Sequence, residues 1–72
     1  MTKEEKIAML EEIMDVEEGS IDEETVLDDI EEWDSLSILT LITEMKKKFN
    51  INLTSKDIND FASVKDICNI IP

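Results

Sequence analysis

Histidine, arginine and tyrosine are absent from the 72 residues, and cysteine, glycine, proline and tryptophan occur once each. Each shortage excludes something. A single cysteine cannot close an internal disulfide, and without histidine or a second thiol a structural zinc site has no ligand set. A serine nucleophile has no imidazole to serve as its base, so a catalytic triad is excluded. Lysine could act as a base in principle, but Lys46, Lys47 and Lys48 stand about three helical turns from Ser35, roughly 16–20 Å at 1.5 Å per residue. Carboxylate pairs are plentiful, yet they lie in a stretch with no evident apolar pocket to tune them. A self-contained enzyme is therefore not expected. No apolar run is long enough to span a bilayer, and the start shows no signal-peptide pattern, which leads us to expect a cytoplasmic protein. Scarce glycine and proline, with no useful period-2 runs, point to an all-α fold.

The chain has acid in abundance. The formal net charge is −12, which argues against direct nucleic-acid binding because the phosphate backbone would repel it. Such a charge steers a protein toward basic surfaces on other proteins. It is unevenly spread: residues 1–34 hold 15 acids and 2 lysines, whereas residues 35–72 hold 4 acids and 5 lysines. Length and composition fit a single domain, residues 1–72, expected to be monomeric and stabilised by helix packing rather than staples.

Read in order, Thr2 and Glu5 form a capping box that opens a helix running to about Met14. Ile7, Leu10, Ile13 and Met14 make its apolar stripe, with Met9 as gap-filling core. Residues 15–34 are a long acidic connection. Loops of that length are uncommon in small domains and are usually functional or tied down. Val16, Ile21, Val26, Leu27, Ile30 and Trp33 are its candidate anchors, with a short helical turn expected around Asp22–Thr25. An EF-hand reading fails in register: counted from Asp15, Gly19 falls at position 5 and Val26 at position 12, where the loop needs glycine at 6 and glutamate at 12. A second helix is expected from Ser35 to Phe49, with Ile38, Leu41, Ile42, Met45 and Phe49 on its core face. Leu36 and Leu39 form a second short stripe off that face, beside Ser35, which suits a partner. Lys46–Lys48 complement the negative end of the helix dipole. Ile51 and Leu53 point inward from an extended exit. Thr54–Asp57 opens a short helix that ends near Phe61. Ser63–Asp66 opens the last helix, with Val64, Ile67, Cys68 and Ile71 on one face. Cys68 is read as a small buried apolar residue rather than a reactive thiol. The expected architecture is a small antiparallel bundle of three longer helices and one short one, with a long loop between the first two.

Ser35 has a position rather than a catalytic partner. A helix N-terminus offers unpaired N–H groups and a positive dipole end, which favour an attached phosphate. The blander account is that Asp34-Ser35 simply caps the helix, in which case Ser35→Ala would cost about 0.5–2 kcal/mol.

The run Leu27-Asp28-Asp29-Ile30 followed by Trp33-Asp34-Ser35-Leu36, the helix ending at Phe49, Ile51 and Leu53 beyond it, and the Val64–Ile67 pattern together resemble the acyl carrier protein family over essentially the whole chain. That resemblance implies a four-part expectation. Ser35 would accept 4′-phosphopantetheine from coenzyme A through a phosphopantetheinyl transferase. The arm's thiol would carry acyl groups as thioesters, as in fatty acid or polyketide biosynthesis. Asp34 would help position the serine and the metal-bound coenzyme A. Leu36, with Leu39, would contact the transferase, the acyl- or aminoacyl-activating ligase and the acyltransferase or synthase enzymes. The chain departs from the common pattern in two places. Glu32 stands where such carriers usually have glycine, and the second helix lacks their acidic docking stripe, with Ser37, Thr40 and Lys46–Lys48 there instead. Trp33 before Asp34 is similar to specialised stand-alone carriers, D-alanyl carriers among them. The alternatives are thus an aminoacyl or peptidyl carrier, or a non-carrier acidic helical interaction module in which Ser35 is only a cap.

Overall fold

Four short runs of helix-forming sequence, each introduced by a side chain that accepts backbone N–H groups, become four helices in the computed structural model, which describes residues 1–72. Helix α1 spans Lys3–Met14, α2 Ser35–Phe49, α3 Ser55–Asp60 and α4 Val64–Ile70, and a 3-10 turn covers Leu27–Asp29. No strand is present, only an isolated antiparallel bridge between Val26 and Ser63. The all-helical bundle is the expected fold, although α4, at 7 residues, is much closer in length to α3 than to α1 or α2.

The caps explain where the helices begin. The Glu5 carboxylate accepts from Thr2 N–H at 2.8 Å while the Thr2 hydroxyl accepts from Glu5 N–H at 3.2 Å. Thr54 and Asp57 repeat the exchange at 2.9 and 3.1 Å. At α4 the Asp66 carboxylate accepts from Ala62 N–H at 2.8 Å and Ser63 N–H at 3.1 Å. These bonds satisfy donors that no helical carbonyl reaches. Both long helices end on a left-handed residue, Asp15 at φ 56° and Asn50 at φ 57°. Asparagine tolerates that conformation, and the Asn50 N–H closes back on the Met45 and Lys46 carbonyls.

Twelve buried side chains form one core. Helix α1 gives Met9, Leu10 and Met14; α2 gives Leu41 and Met45; α4 and its exit give Val64, Ile67, Cys68 and Ile71; and the long loop gives Ile21, Leu27 and Ile30. The expected stripe of α4 is wholly buried. Helix α3 contributes no fully buried residue and packs through Ile58 and, at its end, Phe61. The loop is thus a structural member. Its backbone is zipped to the start of α4, where Leu27 N–H donates to Ala62, Val64 N–H to Thr25 and Lys65 N–H to Glu23, all at 2.9–3.0 Å. Pairing the loop's N–H and C=O groups in this way lets an irregular segment lie over a core without orphaned polar groups. Fully buried residues such as Leu41 and Ile67, both 0% exposed, are the type whose truncation to alanine costs about 2–5 kcal/mol.

Three sequence expectations need correction. The helical turn expected at Asp22–Thr25 is a hydrogen-bonded turn, with Thr25 and Asp22 side chains closing it; the 3-10 turn forms later, at Leu27–Asp29. Val26 does not anchor the loop: it is 46% exposed, because the bridge to Ser63 holds its backbone while leaving its side chain outside. On α2 the buried positions are Ser37, Leu41 and Met45, and Ile38 and Ile42 are only half-buried and stand outside the core. Leu41, Met45 and Phe49 do face the core as expected; the N-terminal half of α2 is apolar on two sides, so periodicity alone leaves open which of its residues join them. No helix is long and apolar enough to cross a membrane.

Candidate functional site

The mouth of α2 is built by Asp34, which is the N-cap. Its backbone is extended, and Oδ1 accepts from Leu36 N–H at 3.1 Å and Ser37 N–H at 3.0 Å. Its own carbonyl takes the first helical bond, from Ile38 N–H at 2.9 Å. A short acceptor side chain one residue ahead of the first turn is what a helix start requires, and a carboxylate adds a favourable charge at the positive end of the dipole.

Ser35 is therefore the first residue inside the helix, not its cap. Its side chain is exposed and its hydroxyl makes no hydrogen bond. This corrects the bland account of Ser35: the capping work it would do is already done by Asp34. The sequence leaves this open, since Asp34 and Ser35 are adjacent residues that can both cap a helix.

Beside Ser35 the outer surface of α2 is apolar. Leu36 is 73% exposed and Leu39 60% exposed, the two largest such values among the big hydrophobic side chains. They lie at i and i+3 on the outer face of α2, as the second stripe predicted. Thr40 and Thr43 continue that side, but their hydroxyls turn back to the Leu36 and Leu39 carbonyls, each at 2.9 Å. The long loop itself forms an open groove of about 580 Å³, lined in part by Asp15, Glu17, Asp29, Glu31 and Glu32, to which Ser35 does not contribute. No three carboxylate or thiol groups of the chain converge as a metal site. The one acid of α2, Glu44, is half-buried and paired with Lys48 at 3.3 Å, so the helix offers no free carboxylate stripe.

Two polar residues are buried, and sequence reasoning assigned a role to neither: Glu11 and Ser37, each 6% exposed. The Glu11 carboxylate accepts from Gly19 N–H at 2.7 Å. Gly19 sits at φ 81°, with open space where a side chain would be, so glycine is required there by backbone conformation and not by crowding. Ser37 donates its hydroxyl to the Glu32 carbonyl, which also accepts from Asp34 N–H at 3.0 Å. Trp33, half-buried, packs against the core between those two residues, and its N–H donates to Ile30 at 3.0 Å. The segment before Ser35 is thus fixed at every residue.

Cys68 contributes no reactive thiol. Burial pushes its pKa up, the Glu23 carboxylate adds to the rise, and Lys6 only partly opposes it. Its backbone carbonyl accepts from Lys6 Nζ at 3.2 Å, which helps place α4 against α1.

The family model described as phosphopantetheine attachment site matches residues 7–71. Searches of curated proteins and of solved structures gave no significant match.

Proposed function

The chain belongs to the phosphopantetheine-attachment family, whose domains are non-catalytic carriers of a covalent 4′-phosphopantetheine group, and on that premise we propose that residues 1–72 form an acyl carrier domain with Ser35 as the attachment residue. The observation that carries the assignment is the Ser35 hydroxyl itself: exposed, without a hydrogen-bond partner, and at the first position of a helix whose cap is supplied by its neighbour. Nothing in the fold has to be broken to modify it. The phosphodiester so formed would lie at the positive end of α2, where the N–H groups of the first turn favour an anion.

Carriers of this family meet a phosphopantetheinyl transferase and then ligase or synthase enzymes. In the loading step Ser35 Oγ attacks the phosphorus that bears pantetheine in coenzyme A. The new Oγ–P bond forms, the P–O bond to the adenosine bisphosphate half breaks, and the hydroxyl proton passes to a base of the transferase. Asp34 holds the helix start in register. Leu36 and Leu39 offer the partner an apolar seat, and the loop acids offer it a negative rim. Once attached, the arm supplies a thiol that holds the cargo as a thioester.

An aminoacyl carrier, of the D-alanyl type, is the second reading. It is supported by Trp33 directly before Asp34, a feature similar to specialised stand-alone carriers of that type. The non-carrier reading is disfavoured by the family match; with Asp34 supplying the cap, it also leaves the Ser35 hydroxyl without the capping role that reading gave it.

The test is intact mass before and after incubation of unmodified protein with coenzyme A, magnesium and a broad-specificity phosphopantetheinyl transferase. A gain of one phosphopantetheine, mapped to Ser35 and absent in Ser35→Ala, is the expected result. A folded, unmodified protein that gains nothing, while a control carrier is loaded, refutes the assignment. Loading of the holo form by an acid-activating or an amino-acid-activating ligase then separates the two cargo classes.

A further inference from the structure

We propose that Ser37 is a positioning residue for the modification of Ser35: its hydroxyl latches the Glu32 carbonyl and holds the segment entering α2 in the geometry that presents the Ser35 hydroxyl. The proposal rests on the carrier reading and adds a residue to it.

The bond is of an unusual kind for a helical hydroxyl. Serine and threonine inside helices commonly return to the carbonyl four residues back. On this same helix Thr40 does so to Leu36 and Thr43 to Leu39. For Ser37 that carbonyl would be Trp33. Instead the hydroxyl reaches five residues back, to Glu32, which lies outside the helix in the entering loop. A bond to residue i−4 decorates a helix; a bond to i−5 across the cap ties the helix to what precedes it.

Ser37 is also where the local network converges. It is 6% exposed. Its N–H donates to Asp34 Oδ1 at 3.0 Å, and its hydroxyl donates to Glu32, whose carbonyl also accepts from Asp34 N–H at 3.0 Å. Three contacts thus close a ring through Glu32, Asp34 and Ser37, with Ser35 on the arc between the last two and its side chain outside. Removing the hydroxyl leaves the Asp34 cap in place but takes away the side-chain bond that ties α2 to the Glu32 carbonyl, so that only Asp34 N–H holds that carbonyl and the Glu32–Trp33 segment is less tightly fixed against the helix. A loss of orientation at a reacting group slows the chemical step more than it weakens encounter, because the partner's seat on Leu36 and Leu39 is untouched.

The experiment measures steady-state transfer by a phosphopantetheinyl transferase to the unmodified full chain. It compares the wild type with Ser37→Ala, Ser37→Thr, and a core variant, Ile67→Val, used at matched distance below its melting temperature. For Ser37→Ala the expected result is a kcat lower by roughly ten- to a hundredfold with KM within about twofold. Ser37→Thr, which keeps the hydroxyl, restores most of the rate, and Ile67→Val leaves kcat unchanged. Trp33, the only tryptophan, gives a second readout: acrylamide quenching of its fluorescence rises in Ser37→Ala and not in Ile67→Val. A kcat for Ser37→Ala within about twofold of wild type, or a loss that Ile67→Val shares, or unchanged Trp33 quenching, overturns the latch. A wild-type chain that accepts no phosphopantetheine at all refutes the carrier reading instead, and intact mass distinguishes that result from the others.

Discussion

Replacing Ser35 and replacing Asp34 should have separable effects, the first abolishing loading at little cost in stability and the second destabilising the helix start, and the size of each stability change follows from its bonds. Asp34 Oδ1 accepts from two first-turn amides, Leu36 N–H and Ser37 N–H, and the second belongs to a buried residue. Deleting a capping carboxylate costs about 0.5–2 kcal/mol, and the buried amide places Asp34→Ala in the upper part, about 1–2 kcal/mol. For a domain of this size each kcal/mol moves the melting temperature by about 4–8 °C, so Asp34→Ala should melt about 4–16 °C lower. Asp34→Asn keeps the acceptor and loses the charge at the helix end, a cost of about 0.3–1 kcal/mol. Ser35→Ala removes a hydroxyl that bonds nothing and introduces a better helix former, so its change should lie within about 0.5 kcal/mol of zero. The assay is thermal unfolding by far-ultraviolet circular dichroism, on samples shown by intact mass to be unmodified. The expected order of melting temperatures is Ser35→Ala equal to wild type, then Asp34→Asn, then Asp34→Ala, while only Ser35→Ala loses the attachment residue itself. A Ser35→Ala protein that melts as low as Asp34→Ala would refute the division of labour between cap and attachment residue.

Other outcomes follow from bonds elsewhere. Glu11→Ala should free the Gly19 amide and loosen the turn around Gly19, at a cost of about 1–3 kcal/mol, and hydrogen exchange at Gly19 should quicken; an unchanged exchange rate would refute the anchoring role. The capping carboxylates set the acid limit. Thr2 N–H holds Glu5 below its ordinary pKa, with help from the Thr2 hydroxyl; Thr54 N–H does the same for Asp57, and Ala62 N–H followed by Ser63 N–H for Asp66. A carboxyl whose folded pKa is depressed contributes stability above its unfolded pKa and loses it as pH falls through the folded value, so melting temperature should drop below about pH 4. Asp57→Asn combined with Asp66→Asn should flatten that slope, and a slope unaltered by the pair would count against the caps as its source. Finally, sodium chloride or magnesium should raise the melting temperature by screening the carboxylates of residues 1–34, and melts indifferent to both would show that their clustering carries no energetic weight.

Local chemistry made much of this molecule readable from its residues. Thr2 with Glu5 and Thr54 with Asp57 announce helices because the reciprocal bonds involve only residues three apart, and both form as read. Val64, Ile67, Cys68 and Ile71 are buried as a set because one face of α4 is apolar and the other is not. The same holds for the exposure of Leu36 and Leu39 beside Ser35. The cap at Asp34 is equally local, but two adjacent capping side chains, Asp34 and Ser35, compete until the backbone shows which one is extended.

Three matters required the tertiary structure. Helix α2 is apolar on two sides, so its rotation depends on what it meets: Leu41 and Met45 are buried as the spacing predicts, but Ser37, bonded to Glu32, is buried with them while Ile38 and Ile42 are only half-buried. The long loop's anchors depend on contacts with distant residues: Thr25 and Leu27 bond to the start of α4 on either side of Val26, and in that pairing Leu27 is buried while Val26 is left outside. Buried polar groups are the least legible of all, since Glu11 and Ser37 look like solvent-facing residues until the chain brings Gly19 and Glu32 within hydrogen-bonding reach. Spacing encodes interactions within a turn of helix; which faces are covered depends on contacts between residues that sequence distance does not relate.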